Sequence, residues 1–302
     1  MKGTRYRIWI SWGALAILGI ANTASADPPG SYSNYRPPVV IISIDGLRAD
    51  ALSAERTPNI VALGKRGSYT LNAQTSTIPQ TLPNHASMLS GVTPSVHKMT
   101  WDDYRADKPN IAVPTVLSAA SSLGLQTVMV VGKRKLQHLA PPSAVFVLTE
   151  RGDISVANEA IVRAGLPFDL LFVHFPDVDL KGHARNWMSP EYITQLTATD
   201  ASVGRVLAAL PPSAVVILTA DHGGLGNDHA VVCREDTTIP WIIAGPGIRW
   251  NYAIQGTVNT VDTATTAAAM LGVSMPSSVT GRALTEVFAP LPDIMPSDLP
   301  SY

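Results

Sequence analysis

One cysteine, Cys233, is present in 302 residues, so no intramolecular disulfide can form. Its expected place is that of a small buried apolar residue. Charge is scarce as well: Lys, Arg, Asp and Glu together make up 15% of the chain, and the formal net charge is −1. The one local basic cluster is Lys133-Arg134-Lys135. A nucleic-acid binder carries a basic patch and a high pI, so no polyanion-binding face is implied and a small-molecule partner is expected instead. Long apolar runs are also missing. Ile8 to Ile20 spans about 13 residues, broken by Ser11 and Gly13, against the roughly 20 needed to cross a bilayer. No retained membrane anchor is expected.

What is there begins with Lys2, Arg5 and Arg7 ahead of that apolar stretch and Ala24-Ser25-Ala26 behind it, the three parts of a secretory signal peptide over residues 1–26. A periplasmic or secreted location follows as an expectation. Those three are the only charges in the segment, so the remainder sets 19 basic residues against 23 acidic ones. Residues 27–38 hold four prolines in twelve and read as an extended lead-in. Residues 290–302 hold four more with little periodicity and read as a proline-rich surface tail. Between them, residues 39–289 suffice for a single α/β domain with a large core.

Within that domain, apolar runs at Val39–Ile44, Gln126–Val131, Ala144–Leu148, Leu170–Phe175, Val215–Ala220 and Trp241–Ala244 read as strands. Helices alternate with them. Thr57-Pro58 starts one that ends at Gly67, Pro114 to Leu123 is a second, Ser155 to Ala164 a third, and Pro190 to Leu210, capped by Ser189, the longest. The alternation predicts an α/β fold with a mostly parallel central sheet and helices on both faces.

Three of the strands run straight into acid or imidazole: Asp45 after the first, Asp177 and Asp179 after Phe175, and Asp221-His222 after Ala220. The carboxyl ends of parallel strands face one crevice, so these residues are expected at one place, where their types suit a metal. The second signal is Thr81-Leu82-Pro83-Asn84-His85, with Pro83 suited to a first helical turn and Gly91 to the residue after the last. Free N–H groups at that helix start are expected to bind an anion. Taken alone, Thr81 is an ordinary N-cap; as a nucleophile its hydroxyl needs a metal or a base to activate it.

Ile44-Asp45-Gly46, Thr81-Leu82-Pro83-Asn84-His85, Asp179-Leu180-Lys181-Gly182-His183, Asp221-His222-Gly223-Gly224 and His229, in that order, resemble the alkaline phosphatase superfamily, specifically its type I phosphodiesterase and nucleotide pyrophosphatase family. The resemblance covers residues 38 to 250. It implies an alkaline phosphatase-like fold and two zinc ions per chain; the stretch between Thr81 and Asp179 is short for the nucleotide-cleaving branch, so a small or absent cap is expected. Asp45, Thr81, Asp221 and His222 are similar to the ligands of the metal that activates the nucleophile, and Asp179, His183 and His229 to those of the second. Two metals about 4 Å apart can stabilise the attacking and leaving oxygens of an in-line displacement.

Other residues compete for roles. Asp177 rivals Asp179, and Pro176 with Gly182 favours a loop for this segment over a helix. His85, His97, His138 and His174 read as structural. Lys133 reads equally as a contact to a substrate anion and as a solvated loop residue. In nucleotide-cleaving members of the family an asparagine about twenty residues after the nucleophile helps hold a phosphoryl oxygen; here Asp102 stands at that position. A carboxylate cannot donate to such an oxygen, so Asp102 must be protonated, turn away or serve another group. The expected function is an exported two-zinc hydrolase that cleaves phosphodiester or pyrophosphate bonds through Thr81. The alternatives are a phosphate or phosphonate monoesterase of the same superfamily and a metal-binding relative without activity.

Overall fold

The computed structural model describes residues 36–76 and 78–290. The expected leader, the lead-in up to Tyr35 and the tail beyond Pro290 lie outside the described residues. The strands are β1 (Val39–Ile44), β2 (Gly67–Gln74), β3 (Thr127–Val131), β4 (Val145–Leu148), β5 (Leu170–Phe175), β6 (Val215–Thr219), β7 (Thr238–Ala244) and β8 (Tyr252–Ala253). The helices are α1 (Pro58–Lys65), α2 (Thr81–Ser90), α3 (Pro94–His97), α4 (Val116–Ser122), α5 (Asp153–Ala164), α6 (Asp177–Arg185), α7 (Pro190–Ala209), α8 (Arg234–Thr237) and α9 (Asp262–Leu271).

Among the described residues the strands form one sheet in the order β4-β3-β5-β1-β6-β7-β2-β8. β4, β3, β5, β1 and β6 are parallel; β7 runs against both β6 and β2. The central strands are buried at every position because helices cover both faces, which is why they read as unbroken Val, Ile, Leu and Phe runs. α1, α5, α6 and α7 pack together in one layer, and α2, α4 and α9 in the other. The neighbouring parallel strands β3, β5, β1 and β6 therefore deliver their carboxyl ends side by side. Lys133, Asp179, Asp45 and Asp221 follow those ends in that order across the sheet.

Three expectations need correction. Residues 177–185 form a helix rather than a loop. Asp177 and Asp179 in its first turn and His183 and Arg185 in its last suit the helix dipole. Gly182 is an internal packing glycine, since a Cβ there would collide with the indole of Trp187. The segment from Gly67 to Gln74 is a strand that alternation did not reveal, because it is polar, half-exposed and interrupted by a register shift between Thr70 and Ala73. Cys233 is half-buried at the start of the short α8 rather than in the core.

Candidate metal centre

α2 is buried along its whole length and begins at Thr81, which occupies the first helical position behind the N-cap Gln80. Gln80, not Thr81, holds the N-cap position, so the Thr81 hydroxyl does not serve as an ordinary helix cap. Lys133 Nζ lies 3.4 Å from Thr81 Oγ1 and is paired with Asp45 Oδ2 at 2.7 Å and Asp179 Oδ2 at 2.5 Å. Of the two readings of this lysine, the structure shows the crevice residue.

The remaining site residues gather in two groups, each with its donor atoms within 4.8 Å of one another: Asp45, Asp221 and His222, and Asp179, His183 and His229. The three carboxylates are almost entirely buried. His222 Nε2 stands 3.4 Å from both Asp45 Oδ1 and Asp221 Oδ2. His183 Nε2 and His229 Nε2 stand 3.4 and 3.7 Å from Asp179 Oδ1. Those facing atoms Asp45 Oδ1, Asp179 Oδ1, Asp221 Oδ2 and His222 Nε2 are buried without a hydrogen-bond partner, a costly arrangement that a bound cation relieves.

The other ring nitrogens are already committed. His183 Nδ1 donates to Asn227 O at 2.8 Å, His222 Nδ1 to Gly223 O at 2.8 Å and His229 Nδ1 to Pro79 O at 2.5 Å. A proton held at Nδ1 by a carbonyl leaves the Nε2 lone pair free to ligate, the usual support of metal-binding histidines. The donor set of carboxylate oxygen and imidazole nitrogen, in two groups of three, therefore fits two divalent cations.

Electrostatics point the same way. Burial works against ionisation of Asp45, yet the charge of Lys133 and a hydrogen bond from His174 hold its carboxyl well below the usual range. Burial together with the charge of Asp45 raises Asp221 to about 7. Burial also opposes the charged form of Lys133, but Asp45 and Asp179 outweigh it and keep the ammonium protonated far into alkali. That lysine is a donor beside Thr81, not a base.

Sequence reasoning classed His85 and His174 as structural, and both are hydrogen-bonded core residues that also steady the site. His174 Nε2 donates to Asp45 Oδ2 at 2.9 Å, and Gly132 N donates to its Nδ1. His85 Nδ1 donates to Thr81 O at 2.7 Å, while Ser43 Oγ donates to its Nε2. Burial lowers His85 to about 4, so the ring is neutral. Asp177 turns away, exchanging hydrogen bonds with Asp153: Asp153 N donates to Asp177 Oδ2 at 2.8 Å and Asp177 N to Asp153 Oδ1 at 3.0 Å. Trp187 was not anticipated. Its indole packs on Gly182 and Gly224 and donates to Gly46 O at 2.8 Å, joining α6 to the turns that follow β1 and β6.

The start of α2 differs from expectation. Leu82 N donates to Asp102 Oδ1 at 2.8 Å, Pro83 has no N–H, and Asn84 N donates to Gln80 O. The helix end thus has few donors left for an external anion. Asp102 serves another group, as its second oxygen pairs with Lys135 at 2.7 Å.

Comparison with known proteins bears on this geometry directly. The family model described as type I phosphodiesterase / nucleotide pyrophosphatase matches residues 39–119, with β1, Asp45 and the Thr81 helix inside it. A second, described as the metalloenzyme superfamily, matches residues 137–274, which hold every other ligand candidate. The two matches bear out the resemblance to the alkaline phosphatase superfamily. A phosphopentomutase of Rhizobium etli is 39% identical over 107 residues, covering 32% of this chain, and this chain spans about a quarter of its length. Murine ectonucleotide pyrophosphatase / phosphodiesterase 5 has a TM-score of 0.69 at 13% identity, covering 84% of this chain and 100% of the murine chain. A 2-O GAG sulfatase has a TM-score of 0.68 at 17% identity, covering 83% of this chain and 74% of the other. At these identities the structural likeness is one of fold.

Proposed function

We propose that this protein hydrolyses a phosphodiester or pyrophosphate bond, with Thr81 Oγ as nucleophile. The observation that carries the reading is the Thr81 hydroxyl at the head of a buried helix, with the Lys133 ammonium 3.4 Å away and linked to both groups of acidic residues. The murine relative solved in complex with AMP supports a small phosphate ester as substrate.

Asp45, Asp221 and His222, with Thr81, would hold one divalent cation, and Asp179, His183 and His229 the other; zinc is our choice from the donor types. Bound there, the two ions supply positive charge to the attacking and departing oxygens. Thr81 Oγ gives up its proton to solvent and forms a bond to phosphorus as the bond to the leaving oxygen breaks, and the leaving oxygen takes a proton from solvent. The resulting phosphothreonine is cleaved by water, which restores the hydroxyl and releases phosphate bearing the second group. Lys133 Nζ stabilises negative charge developing on Thr81 Oγ. His85 holds the Thr81 carbonyl, and His174 holds Asp45, so nucleophile and carboxylate keep their orientation.

A phosphate or phosphonate monoesterase of the same superfamily is the second reading. It draws on Lys133, an additional cation that a doubly charged group would use. Initial rates of the zinc-loaded protein on an aryl phosphodiester and the matching monoester, with Thr81→Ala as blank, separate the two. Diester turnover that disappears in Thr81→Ala is the expected result; equal rates in the variant refute the mechanism. We also place the protein outside the cytoplasm, on the leader-like residues 1–26. Amino-terminal sequencing of the mature protein tests this, and a start at Asp27 is expected.

A further inference from the structure

Asp102 is an internal anion seated at the head of the nucleophile's helix. Its Oδ1 accepts from Leu82 N, the amide that follows Thr81, at 2.8 Å, and its Oδ2 pairs with Lys135 Nζ at 2.7 Å. Pro83 has no N–H and Asn84 N is spent on Gln80 O, so among the three amide positions that follow Thr81 the Leu82 N–H is the one donor facing out of the helix end, and Asp102 takes it. The protein's own carboxylate thus sits at the positive end of the helix dipole, beside Thr81. Lys133, the cation beside Thr81, is already shared between Asp45 and Asp179. A group under attack by Thr81 meets a negative charge within one residue of the reacting oxygen, and the cation that balances this charge lies on the far carboxylate oxygen.

We propose that Asp102, held by Lys135, sets the charge the site accepts: esters with a single negative charge on the group under attack are preferred over phosphate monoester dianions. The inference rests on Thr81 as nucleophile and narrows the substrate class of that site. Two chemistries carry one charge, a phosphodiester and a sulfate ester, and the assay below separates them. The second charge of a monoester interacts with Asp102 across a site where the Asp102 and Lys135 side chains are 26% and 18% exposed. Partial screening reduces the discrimination to about tenfold, below what a fully buried charge gives.

The test uses the full zinc-loaded protein with Asp102→Asn and Lys135→Met. Asparagine keeps an acceptor for Leu82 N and removes the charge; methionine keeps the stem of residue 135 and leaves the Asp102 charge unbalanced. The readouts are kcat/KM for an aryl phosphodiester, the matching monoester and an aryl sulfate, and binding of inorganic phosphate by calorimetry. Asp102→Asn is expected to raise the monoester-to-diester ratio about tenfold and to tighten phosphate binding by about the same factor, while Lys135→Met moves both the opposite way. A merely structural ion pair is lost equally in both variants, so shifts of the same sign, or no shift in either, overturn the proposal. Wild-type preference for the diester or the sulfate over the monoester supports it and names the ester; preference for the monoester overturns it. If Thr81→Ala retains wild-type turnover, the nucleophile assignment fails, and the opposed phosphate-binding shifts still decide the role of Asp102.

Discussion

Asp153 offers the sharpest quantitative test of how the metal centre is held in place. It starts α5 and is almost fully buried, its Oδ1 accepts from Asp177 N at the start of α6, and its Oδ2 accepts from Thr199 Oγ1 on α7. Burial, with the nearby charge of Asp177, raises its pKa from 3.8 to about 7. The folded protein therefore keeps a proton that the unfolded chain releases near pH 4. Stability from this group is full below about pH 4, falls as pH rises from there to about 7, and is flat above. At about 1.4 kcal/mol per pH unit the loss is about 4 kcal/mol. Asparagine preserves both partners, accepting from Asp177 N and donating to Thr199 Oγ1, and has no proton to lose. Urea unfolding of wild type and Asp153→Asn at pH 5 and pH 8 should show the variant gaining on wild type by about 2–3 kcal/mol between the two, most of the available range. Parallel pH dependence in the two proteins refutes the reasoning, because every other titrating group is common to both.

Four further outcomes are expected. Stripping divalent metal with a chelator should lower the melting temperature, and zinc should restore it; a ligand at a thousand times its Kd adds about 4 kcal/mol, and an unchanged melt would argue against a bound cation. His183→Ala should lower zinc stoichiometry in equilibrium dialysis from two towards one while Thr81→Ala leaves two tightly bound ions, since only Thr81 would be supplementary to a complete group of three. Gly224→Ala drives a Cβ into the Trp187 indole and should cost about 1–3 kcal/mol in thermal or urea unfolding. Trp187→Phe loses the bond to Gly46 O and part of the indole packed on Gly182 and Gly224, and should cost about 1–3 kcal/mol in the same assay, the carbonyl itself keeping Tyr192 OH as a donor.

The central strands were legible in the sequence because a parallel strand covered on both faces needs an apolar residue at every position, a local and unambiguous pattern. Asp45, Asp221 and His222 were legible for the same reason, as they follow such strands directly. β2 was not, since a polar strand near one margin of the sheet carries no such pattern. Nor was α6, where Gly182 is retained for the close approach of Trp187, a contact visible only once distant segments are assembled.

By itself the sequence determined the fold class, the residue types of the metal centre and their arrival at one edge of a parallel sheet, because alternating strands and helices leave few ways to place the strand ends. Tertiary structure alone decided what those residues do to one another. It turned Lys133 inward between two carboxylates, fixed the protons of three histidines on backbone carbonyls, and set Asp102 on the Leu82 amide. Apart from His222 and the adjacent Gly223 O, these depend on distances between groups 20 to 150 residues apart in the chain, and hydrogen bonds and ion pairs act only over a few ångströms, so no local pattern could encode them.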